Sequence, residues 1–206
     1  MQNAADTGSL TLERFEPLLA HTQAPDAMRT LIAAYLDAWE KTAPPARTDL
    51  NFRTLAPYMP NLTIMERRDG RYLYRLVGTE VVERMTRDLT GENVFDYFAP
   101  GIHSGVRQGF EAVIDDCCIS LFIYENTYSN GVMMKVESLL LPIASGVDGE
   151  AHHMLAWHIR HNDRSFTEQE ELVFQSSRVG QVFFVPLKGN CRPMPALRAL
   201  APVEIC

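Results

Sequence analysis

The chain lacks a basic excess: 19 Lys and Arg stand against 26 Asp and Glu, a net charge of −7. A general nucleic-acid binder needs a basic surface to displace phosphate counterions. Anionic membranes likewise attract polybasic segments, so neither partner is expected. Arg67, Arg68 and Arg71 cluster locally and read as a solvated hairpin end. No run approaches the roughly 18 apolar residues of a transmembrane helix. The opening MQNAADTGSLTLERF has neither the basic start nor the apolar centre of a signal peptide, and cytoplasmic residence is the expectation. Cysteine is sparse, with four in all and no CxxC. Cys117 and Cys118 are adjacent, too close for an ordinary disulfide or zinc pair, and read as buried, reduced thiols. Gly-x-Ser-x-Gly, a phosphate loop and HExxH are all missing, so no enzymatic activity is expected. Asp115-Asp116 reads as a charge pair at a helix end.

What is present is a patterned stretch of ordinary globular composition, 46% hydrophobic and 22% charged. That supports one domain with extensions. Residues 1–25 read as a leader containing a short helix, and residues 26–44 as an amphipathic helix. Met28, Leu31, Ile32, Tyr35, Leu36 and Trp39 form its apolar stripe. Such a stripe must cover either its own sheet or a matching helix. Asn51–Pro60 is a further short helical segment. Leu62–Arg67 and Arg71–Val77 flank Arg68-Asp69-Gly70, a hairpin signal. Gly78–Arg87, Asn93–Phe98 and His103–Asp116 read as helical. Cys117–Asn126, Val132–Ile143 and His152–His161 read as three strands. Thr167, with Glu170 at the capping-box spacing, opens a terminal helix over Thr167–Ser177. Residues 166–185 are thus a C-terminal helix or extension, and the proline-rich residues 186–206 read as a disordered tail. The order implies an α+β fold: a five-stranded antiparallel sheet, short helices on one face, and flanking N- and C-terminal helices. A pocket would lie between the sheet and the helical insert.

RYLYRLVGT followed by RDLTGENVFDYFAP resembles a PAS domain, and more narrowly the bacterial stand-alone PAS proteins with an RLVGT…RDLTG pattern. Gly91-Glu92-Asn93-Val94-Phe95 fits the glycine loop of that family, and the resemblance covers residues 45–165. Gly78-Thr79 stands where better-known PAS domains often end the second strand with asparagine. The resemblance implies a sensory or regulatory module that binds a small organic ligand or a partner protein. It would signal through its flanking helices, as a homodimer through the N-terminal helix and onward to a downstream signalling protein. Two alternatives stay open: an interaction module with a fully packed core, and a small cone-fold enzyme built on a buried Asp–His pair and acting on a small hydrophobic substrate.

Candidate ligand contacts follow from strand alternation. Ser138 and Met134 share a face with Val136 and Leu140, and Phe122 and Tyr124 share one with Cys118 and Ser120. Large apolar groups mixed with a few hydroxyls suit a small-molecule pocket, and a filled core fits the same pattern. Tyr74 and Trp157 complete the aromatic candidates. Arg75 could hold a ligand carboxylate by two parallel hydrogen bonds. The preferred reading puts it on the outer face, or pairs it internally with Glu80, Asp88 or Glu137, because alternation sets it opposite Tyr72, Tyr74 and Leu76. His103 is the best placed single haem ligand, while His152, His153, His158 and His161 do not converge from one strand. One histidine without a motif does not establish haem, and neither Cys117 nor Cys118 lies where a flavin adduct would form. Haem and flavin are therefore disfavoured and the cofactor is left unknown, with no metal assigned.

Overall fold

The computed structural model describes residues 10–39, 44–145, 151–161 and 173–187. Six strands form one antiparallel sheet in the order β2-β1-β5-β4-β3-β6. They are β1 Leu62–Arg68, β2 Arg71–Val77, β3 Cys118–Tyr128, β4 Met133–Ala144, β5 Ala151–Arg160 and β6 Phe174–Pro186. The helices are α1 Glu16–Leu19, α2 Pro25–Trp39, α3 Phe52–Leu55, α4 Thr79–Met85 and α5 His103–Ile114, with short 3-10 turns between them.

The β1–β2 turn forms where the sequence signals it, because Asp69 and Gly70 both take positive φ, 51° and 73°. Those angles match the twist of a two-residue hairpin. β1 then pairs with β5, which joins the N-terminal hairpin to the later meander.

Both sheet faces are covered, and for that reason the central strands read almost continuously apolar. On the outer face Leu121, Ile123, Leu139, Leu141, Leu155 and Trp157 pack under Leu31, Ile32, Tyr35 and Trp39 of α2. On the inner face Met65, Phe122, Leu140 and Met154 meet Val106, Phe110 and Val113 of α5. The apolar stripe of α2 is thus spent within the chain. It is pinned at two points: Tyr35 donates its hydroxyl to Pro142 O at 2.7 Å, and the fully buried Glu137 accepts from the Thr22 hydroxyl and from Gln23 N–H at 3.1 Å. The helix begins at Pro25, with Asp26 in its first turn.

Two departures from the sequence reading concern the C-terminal part. The sheet has six strands, not five. Of the terminal helix expected over Thr167–Ser177, residues 167–172 lie outside the described residues, while Phe174–Ser177 open strand β6. β6 runs along β3 from Tyr128↔Phe174 to Cys118↔Pro186, so the otherwise open β3 edge supplies its backbone hydrogen bonds. Tertiary pairing overrides local helical preference there. Its register slips at Gly180, which lets Val179 face the inner core while Phe183 and Val185 reach the outer one. Of the expected tail, residues 188–206 lie outside the described residues.

Candidate functional site

The inner sheet face, α4 and the loop after it enclose a cavity of about 60 Å³. One side is apolar, with Met65, Leu89, Val94, Phe110, Phe122 and Leu140. The other carries Tyr74, Tyr124, Ser138, His158 and Arg84, with Asn126 and Ser177 beyond them.

The loop that walls the cavity explains the RDLTG run. α4 ends at Thr86, which takes the left-handed conformation (φ 58°). Asp88 then accepts from Thr90 N–H at 2.9 Å and from its hydroxyl at 2.7 Å, a side-chain turn of the Asx kind. Those bonds hold the Asp88 carboxyl below the usual range. Arg87 pairs with Glu92, and Glu92 also accepts from the Tyr97 hydroxyl. Gly91, at φ 86°, donates to Tyr74 O at 2.8 Å, and Tyr74 N–H returns a bond to Glu92 O at 3.0 Å. The loop is therefore stitched to the edge of β2, and Leu89 is driven inward to 1% exposure.

The polar side is a closed network. His158 Nε2 lies 2.9 Å from Thr63 Oγ1, and its Nδ1 lies 2.5 Å from Ser138 Oγ and 3.3 Å from the Tyr124 hydroxyl. Ser138 also donates toward Tyr124 at 3.1 Å. Burial, with the Arg84 charge nearby, pushes His158 down to about 3, so its ring is neutral. Burial raises Tyr124 and Tyr74, so both phenols keep their protons. Arg84 is 2% exposed, and burial lowers its guanidinium from its ordinary value. Deeper in, Ser177 donates to Asn126 Oδ1 at 2.7 Å.

Of the residues singled out from sequence, Tyr74, Phe122, Tyr124 and Ser138 line this cavity, and four others do not. Arg75 pairs with Glu66, and none of Glu80, Asp88 and Glu137 is its partner. It is the extra residue of a bulge, since Ile64 faces Leu76 while Met65 faces Tyr74. That bulge also separates Leu76, which packs on the outer cluster, from Tyr72 and Tyr74 on the inner one. Trp157 lies on the outer face, edge-on to Tyr58 at 5.7 Å, because register pairs it with Leu139 and Leu62. Met134 shares the inner face but sits farther along β4, in a separate cluster with Tyr128 and Val136. His103 is the first residue of α5, with its Nε2 2.8 Å from Phe98 O and its ring against Phe95.

Two residues outside the candidate ligand contacts read from sequence are central. The same parity that turns Trp157 outward turns His158 inward, opposite Ser138. Arg84 shares the buried face of α4 with Val81 and Met85, a three-to-four-residue spacing visible in the sequence. Among the described residues no three His, Cys, Asp or Glu side chains converge as a metal site, and no described helix is long and apolar enough to cross a membrane.

A family model described as a PAS domain matches residues 24–156. No curated protein matches the chain. Among solved structures, the chain is similar to a LOV protein of Rhodobacter sphaeroides at 11% identity, covering 55% of this chain and 68% of that one with a TM-score of 0.43. It is similar to the PAS domain of an HTR-like protein from Haloarcula marismortui at 18% identity, covering 53% and 89% with a TM-score of 0.37. A sensory box histidine kinase/response regulator from Burkholderia thailandensis matches at 14% identity, covering 55% and 87% with a TM-score of 0.37.

Proposed function

The chain belongs to the PAS domain family, and on that premise we propose that it is a cytoplasmic sensory module that binds a small organic ligand in the cavity beneath α4. The observation that carries this reading is the cavity itself: apolar walls on one side and a pre-formed polar network around His158 on the other. Ligand sites commonly combine these two features.

Two elements that touch the cavity also lead away from it. Ser177 and Val179 bring β6 to the cavity wall, and on the opposite face of β6 Phe183 stacks on His21, with ring centroids 3.9 Å apart. A ligand that prefers one seating of β6 or α4 would shift the population of the whole sheet edge. The segment leading into α2 would move with it and could pass the change to a downstream signalling protein. A homodimer, if formed through α2, would use its outward face, because the apolar stripe is occupied.

The reading assigns no catalytic step. The described cavity lining contains no Asp or Glu to pair with His158, the pair that the cone-fold enzyme alternative requires. It contains no Cys for a flavin adduct either.

Native mass spectrometry of freshly purified protein, followed by denaturing extraction, tests the proposal. The expected result is a mass excess in the native spectrum that is released on denaturation. A clean apo mass, together with no thermal shift across a small-molecule library, would refute it and leave the packed-core interaction module.

A further inference from the structure

We infer that the cavity takes a small monocarboxylate and that Arg84 receives its charge; this rests on the reading of the cavity as a ligand site. Arg84 is among the largest fully buried side chains of the protein, and a guanidinium brings five N–H donors into that interior. Its Nη1 donates to Asn61 Oδ1 at 3.4 Å, long for such a contact. Glu80, one helical turn back, acts on Arg84 only as a nearby charge with no direct ion pair, and its carboxylate lies 3.8 Å from Arg160. Among the described residues no carboxylate forms an ion pair with Arg84.

A buried charge with so little compensation is costly, and an arginine does not escape by losing its proton. The cavity supplies no anion of its own. Tyr74 and Tyr124 stay protonated and His158 is neutral. The missing counter-charge therefore enters with the ligand.

The lining narrows the class. One buried cation calls for one negative charge, and a planar carboxylate matches the guanidinium fork by two parallel bonds. The apolar walls of Met65, Phe110, Phe122 and Leu140 suit a hydrocarbon body. The space is small: where a single water needs about 10–15 Å³ and benzene takes a cavity of about 150 Å³, 60 Å³ fits an acid of about two to four carbons.

The test uses the full chain and a charge series on one skeleton: butyrate, butanol and butylamine, with inorganic phosphate alongside. Thermal shift and calorimetry read the binding. Butyrate is expected to raise the melting temperature by about 5 °C or more at a hundredfold excess over its Kd, while butylamine and phosphate leave it unchanged. Arg84→Gln and Arg84→Met should weaken butyrate binding at least about 30-fold. Both variants should melt no lower than the parent protein without ligand, because each removes an uncompensated charge. If they fail to fold, the charge series on the parent chain decides alone. Butanol binding as tightly as butyrate, or phosphate binding in its place, overturns the carboxylate assignment while leaving the cavity as a ligand site. If no member of the series binds and the native spectrum is clean, both readings fall.

Discussion

Replacing Gly78 with alanine tests how the frame of the site is held. A Cβ at this position would lie 2.3 Å from Pro60 O, 2.4 Å from Met59 O and 2.6 Å from Pro60 C. All three atoms belong to the main chain of the 3-10 turn Ala56–Asn61 that feeds β1. Contact is short by about 1 Å, and no side chain can swing aside to relieve it. Gly78 has an ordinary φ of −70°, so space, and not a left-handed conformation, demands glycine. Opening the gap would stretch the 2.8 Å bond from Gly78 N–H to Leu62 O and tilt α4, whose first turn bonds to Gly78 O.

Overpacking costs about 1–3 kcal/mol, and a lost buried hydrogen bond adds about 1 kcal/mol. The stiffer unfolded chain returns about 0.4–1 kcal/mol. The net expectation is a loss of about 2–3 kcal/mol, a fall in melting temperature of about 4–12 °C and a urea midpoint lower by about 1 M. Gly109→Ala is the control. There the added Cβ meets the Phe122 ring tip at 2.5 Å, the far end of a side chain, and alanine improves helix propensity by about 1 kcal/mol. Gly109→Ala should cost less than Gly78→Ala and weaken ligand binding, since Phe122 would be pushed into the cavity. Unfolding curves of Gly78→Ala within about 0.5 kcal/mol of the parent protein would refute the steric reasoning.

Three further outcomes are expected. Glu137→Ala leaves the Thr22 and Gln23 donors and His161 without their buried carboxylate. It should cost about 3 kcal/mol and expose residues 21–24 to limited proteolysis, with Glu137→Gln intermediate. His158 titrates at an ordinary 6.5 when unfolded and near 3 when folded. Between those values the unfolded chain takes up a proton that the folded chain refuses, so stability falls with pH by about 1.4 kcal/mol per unit below 6.5. His158→Gln should remove one proton from that slope in acid titrations followed by urea unfolding, while the half-buried His153, also lowered by burial, keeps its share in both proteins. Arg75→Ala should change stability by less than about 1 kcal/mol, because its pair with Glu66 is exposed to solvent. It should leave ligand affinity unaltered, and a large loss in calorimetry would show that Arg75 reaches the site.

Local sequence alone determined the elements whose signals are short-range. Asp69-Gly70 specifies a tight hairpin because both residues accept positive φ. The Met28–Trp39 stripe of α2 and the Val106–Val113 face of α5 specify helices with one buried side, and the α+β architecture follows from their order. Alternation grouped Phe122 with Tyr124 in β3 and Ser138 with Leu140 in β4, and the pairing of the two strands brings all four to the cavity. Alternation, however, is a relative signal, and one extra residue reverses it. Only the tertiary structure located the bulges at Arg75 and Gly180, which decide that Leu76 turns outward and that Phe184, not Phe183, joins the inner core. Only pairing to the open β3 edge made Phe174–Pro186 a strand, since an edge's hydrogen bonds have no local sequence mark. The same holds for the charge at the centre of the site. Arg84 reads in the sequence as one more polar residue on a short helix, and its burial beside His158 exists only once α4 is closed over the sheet.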